Sequence, residues 1–115
     1  MDITREEKDG VVILRLNEDV LVENFQELKT VLEELITREN DRIVIDMHRI
    51  QYFCSQGLGT ITSSLKIIRE RGGDIKILNP AGRILKLFEL TRLNKILDIL
   101  QEEKDLKERF QLPTP

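Results

Sequence analysis

The spacing of apolar residues along this chain changes several times, and each change marks a new element. The stretch DITREEKDGVVILRL, residues 2–16, holds two short extended segments around Asp9-Gly10, a dipeptide that favours the two-residue turn of a β-hairpin. Two short apolar runs, RIVIDM at 42–47 and DIKIL at 74–78, predict further strands. The first of these runs is typical of a strand buried on both faces, so we expect it to be central in the sheet.

Apolar residues also recur at helical spacing in three stretches between and after these strands. The first helix is predicted from Val22, Phe25, Leu28, Val31, Leu32, Leu35 and Ile36. The second is predicted from Leu58, Ile61, Leu65 and Ile68, and it ends at Gly72-Gly73. The third carries Ile84, Leu85 and Phe88, with Pro80 in its first turn. Residues 95–100 are a candidate last strand, and residues 102–110 are a candidate charged helix.

Together these elements predict an α/β fold with a mixed, mostly parallel sheet, an N-terminal hairpin and about four helices. The chain of 115 residues has the size of one domain. We expect this domain at residues 1–110, followed by a short tail at 111–115. The loops that leave the carboxyl ends of parallel strands are the usual positions of ligands and partners in such sheets, and the loop after residues 42–47 is one of them.

The composition narrows the classes of protein to which the chain can belong. With 40% hydrophobic and 34% charged residues, and no apolar run near the roughly 20 residues of a membrane span, we expect a soluble cytoplasmic protein without direct membrane insertion. One cysteine and one histidine are too few for a disulfide or a dedicated zinc site, and we expect no metal or other cofactor. The net charge of −3 disfavours nucleic acid as a partner.

The sequence YFCSQGLG, residues 52–59, places two glycines at the start of the second predicted helix. The first amides of a helix lack partners within it and the helix dipole adds positive charge there, so this start is suited to an approaching backbone or a phosphate. Ser55 would cap the helix, and Gly57 and Gly59 would permit the close approach. In the alternative interpretation, the glycines only relieve crowding against a neighbouring element, and spacing alone leaves both interpretations open.

Two chemical interpretations of this loop, one as a nucleotide-binding motif and one as a catalytic pair, are weaker. Gly57-Leu58-Gly59 begins like the GxGxxG dinucleotide fingerprint, but Thr62 stands at the third glycine position, and CSQGLGT lacks the lysine of a P-loop. Cys54 and His48 would form a nucleophile and base without a third group, and a lone cysteine beside phenylalanine is more often a small core residue. We therefore expect no enzyme, and a nucleotide-binding domain is the alternative from another class.

The order of the elements and the loop sequence resemble the STAS family, the fold of bacterial anti-sigma factor antagonists, over nearly all of the chain. The segments that carry the resemblance are VENFQELKTVLEELI, RGGDIKILNP, ILKLFELTRLNKIL and, as the most specific one, IVIDMHRIQYFCSQGLG, which is similar to the family's strand, linker and D-S-[ST]-G-[LIV] loop. The resemblance implies partner switching. A member of that family in its unphosphorylated form binds an anti-sigma factor, which is also a serine kinase, and so releases a sigma factor for transcription. Phosphorylation of the loop's second hydroxyl residue ends that binding.

The loop departs from the family pattern at the position where family members are phosphorylated. The family's aspartate falls on Cys54, its first serine on Ser55 and its phosphoacceptor on Gln56, while Gly57-Leu58-Gly59 match. Glutamine cannot accept a phosphate. Three interpretations follow: Ser55 has become the acceptor, the protein binds its partner without this control, or the domain serves a partner that uses no kinase.

We predict that the loop and the exposed side of the following helix bind a partner protein. The predicted residues are Cys54, Ser55, Gln56, Gly57, Leu58, Gly59, Thr60 and Ser63, with Ser64 as a further polar contact and Ser55 as the possible phosphoacceptor. The partner implied by the resemblance is an anti-sigma factor of the serine kinase type, and the alternative is the ATPase subunit of a membrane transport complex. We expect a monomer or a weak homodimer that pairs an exposed strand edge.

Overall fold

The predicted hairpin and apolar strands belong to one five-stranded sheet in the computed structural model, which describes residues 1–111. The strands are β1 (Ile3–Lys8), β2 (Val11–Leu16), β3 (Arg42–Asp46), β4 (Asp74–Leu78) and β5 (Asp98–Leu100), and they lie side by side in chain order. β1 and β2 are antiparallel, and all other neighbours are parallel. Asp9 and Gly10 join β1 to β2 with φ angles of 54° and 77°, the positive values that the predicted turn requires. The predicted mixed sheet and the central position of β3 are confirmed.

Helices cover both faces of this sheet, but unequally. Within the described residues they are α1 (Phe25–Thr37), α2 (Ser55–Glu70), α3 (Gly82–Leu90) and α4 (Leu106–Arg109), with 3₁₀ turns at Leu93–Lys95 and Glu103–Asp105. α1, α2 and α3 each connect two neighbouring parallel strands. Such connections are right-handed and these three cross the sheet in one direction, so all three helices pack on the same face. α4 packs on the opposite face.

The pleat of β3 explains how one strand is buried on both faces. Ile43 and Ile45 belong to the core beneath the three helices, whereas Val44 points the other way into a cluster with Leu106 of α4. Burial of one such aliphatic side chain contributes roughly 1.5–3 kcal/mol. The carboxyl end of β3, from which the candidate loop leaves, is therefore held firmly by both layers.

The face beneath α4 contains a buried charge. Lys76 of β4 is 5% exposed, and its Nζ lies 2.9 Å from Asp74 Oδ2, 2.8 Å from Asp98 Oδ2 and 4.6 Å from the centre of the Phe110 ring. Two carboxylates and an aromatic ring replace the water that the ammonium group loses on burial. The contact with Phe110 joins the segment after β5 to the sheet.

The structure corrects the predicted starts of two helices. Val22 precedes α1, because the side-chain oxygen of Asn24 accepts a hydrogen bond from the Leu21 amide at 2.7 Å and closes a turn there. Pro80 lies before α3 rather than in its first turn, and Ala81 is the residue that leads into that helix. Both predictions extended a helix too far toward the N-terminus.

The C-terminal third differs more from its prediction. Only residues 98–100 of the predicted strand at 95–100 are extended, because Arg92 adopts the left-handed conformation with φ of 63° and begins a 3₁₀ turn. The predicted charged helix at 102–110 is a 3₁₀ turn followed by the single turn of α4. The predicted tail lies outside the described residues except for Gln111, so the domain boundary stays a prediction.

Candidate functional site

A short contact between two loops fixes the start of α2. Val20, between β2 and α1, forms an isolated parallel bridge with Phe53: its amide donates to the Tyr52 carbonyl at 3.1 Å, and its carbonyl accepts from the Cys54 amide at 2.9 Å. The Asp19 carboxylate accepts from the Tyr52 amide at 3.2 Å and from the preceding amide at 2.8 Å. Because Val20 and Phe53 are both buried, this contact is part of the core and sets the direction in which the chain enters α2.

Cys54, not Ser55, caps α2. Cys54 has an extended backbone, with φ of −73° and ψ of 160°, and its Sγ accepts a weak hydrogen bond from the Gly57 amide at 3.4 Å. Its side chain is buried in the core, as expected for a lone cysteine beside phenylalanine. Ser55 is the first residue of α2, and its exposed hydroxyl donates to Gln56 Oε1 at 3.3 Å. The predicted capping role of Ser55 is therefore wrong, because Cys54 packs in the core and occupies the capping position.

The two glycines of the loop have opposite surroundings. A Cβ on Gly57 would lie 2.6 Å from Phe53 Cε1 and 2.9 Å from Val20 Cγ1, so a larger residue does not fit without displacing the loop contact. A Cβ on Gly59 would meet no atom within 4 Å. Gly57 therefore relieves crowding inside the molecule, whereas Gly59 leaves the surface open to another molecule.

The predicted partner-binding residues divide between the interior and the surface. Cys54, Gly57, Leu58 and Thr60 are buried, as is Ser64, while Ser55, Gln56, Gly59 and Ser63 are exposed. The hydroxyls of Thr60 and Ser63 donate to the carbonyls four residues earlier at 3.0 Å and 2.9 Å, an arrangement common for these residues inside helices. The exposed members are the ones that a partner can touch directly, and the role of the set remains a prediction.

A groove between α1 and α2 runs from this helix start along the molecule. It encloses about 360 Å³. Its lining residues are Phe25, Lys29, Glu33, Ile36, Gln56, Gly59, Thr60, Ser63, Ser64 and Ile67. The open side of Gly59 and the side chain of Gln56 thus border a concave, partly apolar surface.

Three exposed apolar residues next to the helix start were not predicted from the sequence. Leu21, Val22 and Tyr52 are 37%, 58% and 53% exposed, and the bridge between Val20 and Phe53 brings their two segments together. The prediction placed Val22 on the buried stripe of α1, but it lies in the turn before that helix. We call the exposed set the α2-start surface; it consists of Leu21, Val22, Tyr52, Ser55, Gln56, Gly59 and Ser63.

The structure does not bring the candidate nucleophile and base together. His48 Nδ1 lies 2.9 Å from Asp46 Oδ1, and its backbone amide donates to the same oxygen at 3.1 Å. The Cys54 sulfur instead faces the first turn of α2 and has no hydrogen bond to His48 within residues 1–111. This arrangement favours a structural role for both residues.

Asp46 is the centre of a polar cluster at the carboxyl end of β3. Its second oxygen accepts from Arg15 Nη1 at 2.8 Å, and Arg15 also contacts Glu6 and Glu103. Burial opposes ionisation of this carboxyl, but the hydrogen bonds from the His48 side chain and amide and from Arg15 outweigh burial and hold the pKa of Asp46 below its ordinary value. The cluster therefore anchors the strand from which the loop departs and ties it to the C-terminal segment.

Two kinds of feature are absent from the part of the chain that the structure describes. No group of three or more His, Cys, Asp or Glu side chains in residues 1–111 is arranged to hold a metal ion. Among the same residues, no helix is both long and apolar enough to cross a membrane.

Comparison with known families agrees with this architecture. The family model of the STAS domain matches residues 2–106, which is nearly the whole chain. The chain belongs to the STAS domain family. An anti-sigma F factor antagonist of Paenibacillus polymyxa is 27% identical over 104 residues, covering 90% of this STAS chain and 89% of that protein. An anti-sigma-B factor antagonist of Listeria monocytogenes is 29% identical over 79 residues, covering 69% of each chain.

Solved structures with the same fold extend the comparison. The crystal structure of a Thermotoga maritima protein matches with a TM-score of 0.89 and 25% identity, covering 95% of this STAS chain and 94% of that one. The anti-sigma factor antagonist SpoIIAA in its unphosphorylated form matches with a TM-score of 0.82, covering 98% of this chain and 100% of that one. At 16% identity the second comparison concerns the fold alone.

Proposed function

We propose that this STAS protein is a non-enzymatic regulator that binds an anti-sigma factor of the serine kinase type and so releases a sigma factor for transcription. The observation that carries the proposal is the α2-start surface. Ser55 and Gln56 are exposed there, at the loop that the family resemblance associates with partner binding. The named relatives, which are anti-sigma factor antagonists, support the same kind of function.

The chemistry of the α2-start surface suits a protein partner. Gln56 Oε1 accepts from Ser55, while its NH₂ group has no hydrogen bond within residues 1–111 and is available to a partner's carbonyl. Tyr52 and Val22 supply exposed apolar area beside these polar groups. Apolar side chains around a few directional hydrogen bonds are typical of specific protein interfaces, in which tyrosine is enriched.

We propose Ser55 as the residue through which phosphorylation would control binding. Its hydroxyl is exposed at the first position of α2, and the amides of Ser55 and Gln56 have no acceptor within the described residues. A phosphate adds about −1.5 to −2 charge, which the helix amides and dipole would stabilise within this chain. The same charge would oppose docking of an apolar or acidic partner surface.

An affinity experiment in lysate of the native organism tests the proposed function. The tagged wild type is compared with Gln56→Glu and with Gln101→Glu, the same substitution at an exposed position outside the α2-start surface, and retained proteins are identified by mass spectrometry. We expect wild type and Gln101→Glu to retain a kinase-like anti-sigma factor that Gln56→Glu loses. Recovery of a transporter ATPase in its place would contradict the proposal in favour of a transport complex.

A kinase assay with the recovered anti-sigma factor tests the proposed control. We expect phosphate transfer to wild type and to Ser63→Ala, and none to Ser55→Ala. Ser63 is a matched control because its hydroxyl is also exposed on α2, but it donates to the Gly59 carbonyl at 2.9 Å. Undiminished labelling of Ser55→Ala would exclude Ser55 as the acceptor, and no labelling of any form would favour binding without this control.

A further inference from the structure

A second exposed surface lies where α3 ends. We call it the basic apolar surface; it consists of Lys86, Leu90, Arg92, Lys95 and Ile96. Leu90 is 74% exposed, the largest value among the exposed large apolar residues of the described chain, and Ile96 is 43% exposed. Lys86 and Leu90 lie four residues apart and so on the same side of α3. The left-handed conformation of Arg92 then turns the chain into the next 3₁₀ helix, which contacts α3.

The cations of this surface have no carboxylate partners in the part of the chain that the structure describes. Within residues 1–111, none of Lys86, Arg92 and Lys95 has a carboxylate within salt-bridge distance. Residues 82–96 contain four basic residues and one carboxylate, whereas residues 23–39, which include α1 on the other flank, contain two basic residues and five carboxylates. A chain with net charge −3 therefore concentrates positive charge around Leu90, the most exposed leucine of residues 1–111.

We propose that the basic apolar surface docks reversibly on a membrane surface that contains anionic lipids. The composition of this surface favours a membrane over a protein partner. Protein interfaces are enriched in aromatic residues and depleted in lysine, whereas this surface has two aliphatic and three basic side chains. Long basic side chains can extend along an apolar contact and place their charge at the level of lipid phosphates. Leu90 and Ile96 would enter the interfacial layer without any element crossing the bilayer.

The position of the basic apolar surface makes this inference independent of the proposed partner. α2 begins at the carboxyl end of the sheet and runs back to its amino end, where the Arg69 side chain donates to the Ile96 carbonyl. The 16 residues of α2 span about 24 Å. A molecule docked through Leu90 therefore leaves its α2-start surface free.

Sedimentation with vesicles tests the proposal with the full chain. The probes are phosphatidylcholine vesicles with and without about one third phosphatidylglycerol at low ionic strength, because anionic headgroups attract basic residues near a bilayer. We expect wild type to bind only the anionic vesicles and to dissociate as salt is raised. Lys86→Glu/Lys95→Glu should lower the bound fraction by roughly tenfold or more, and Leu90→Ser should lower it by roughly threefold or more because apolar contact is lost.

The matched control is Lys8→Glu/Lys29→Glu, which produces the same net charge on other surfaces. Both lysines are exposed, and neither has a salt bridge within the described residues. We expect this variant to bind like wild type, with circular dichroism verifying that every variant is folded. Equal loss in both charge variants, or equal binding to neutral vesicles, would overturn the proposal. No binding of wild type to anionic vesicles would also overturn it, and would leave the surface to an acidic protein partner.

Discussion

The inner and outer sides of the first turns of α2 differ sharply, although their residues lie close together in one short sequence. Gly57 lies against Val20 and Phe53 with no room for a Cβ, while Gly59, two residues later, faces open space. The inner residues are therefore constrained by the fold, and the outer residues are constrained only by what binds to them. This difference explains how the loop can carry glutamine at position 56 and still have the structure of a STAS domain.

The largest expected effect separates two isoleucines of α2. Ile61 is 1% exposed and Ile67 is 45% exposed. Ile61→Ala should lower the free energy of unfolding by about 2–5 kcal/mol, because it removes buried contacts and leaves a cavity. Ile67→Ala should change it by less than about 0.5 kcal/mol. Urea unfolding monitored by circular dichroism measures both, and similar losses for the two variants would contradict the division into inner and outer sides.

A smaller effect separates the two glycines. Gly57→Ala should lower the free energy of unfolding by about 1–3 kcal/mol, because its methyl group would press on the Phe53 ring and displace the loop. Gly59→Ala should raise it by up to about 1 kcal/mol, because alanine is the better helix former and has free space. Thermal unfolding of the pair provides the measurement. A stabilised Gly57→Ala would show that the loop contact yields easily.

The acid dependence of stability distinguishes the anchored end of β3 from the exposed carboxylates. Because the pKa of Asp46 is held below its ordinary value, Asp46 contributes stability that is fully present above about pH 4 and is lost as the pH falls through its folded pKa. Burial opposes ionisation of Asp98, but Lys76 and Arg109 hold the pKa of this carboxyl below its ordinary value. Asp98 therefore contributes stability over the same pH range. We expect Asp46→Asn to flatten part of the decline.

Urea titrations between pH 7 and pH 2.5 measure this dependence, with Asp2→Asn as an exposed control. Wild type and Asp2→Asn should lose stability in parallel, and Asp46→Asn should begin less stable and lose less. A decline in Asp46→Asn as steep as that of wild type would show that other carboxylates control the acid transition.

Local sequence patterns were sufficient to predict the elements that are determined by residues adjacent in the chain. The hairpin at Asp9-Gly10 and the strand β3 depend on turn chemistry and on an apolar run, and both are confirmed. The helix cap was mispredicted because local preference favours Ser55, whereas burial in the core selects Cys54. A rule that considers only adjacent residues cannot include that burial.

The candidate site was predicted only in part, because some of its residues come together only in the tertiary structure. Ser55 and Gln56 are recognisable from the loop sequence, and the structure places both at the surface. Tyr52 and Val22 belong to the site only because the bridge between Val20 and Phe53 places two segments that are distant in sequence side by side. Exposed apolar residues have no periodic signature, so their contribution to a surface depends on tertiary structure.

The central claim is that the outer side of the α2 start binds the partner without supporting the fold. Calorimetric titration of wild type, Gln56→Glu and Gln101→Glu with the purified anti-sigma factor of the same organism tests it most directly. We expect Gln56→Glu to weaken binding roughly tenfold or more, because a charge would be buried at the interface, while its free energy of unfolding stays within about 0.5 kcal/mol of wild type. Gln101→Glu should bind like wild type. Unchanged affinity of Gln56→Glu would contradict the claim and remove this surface from the interface.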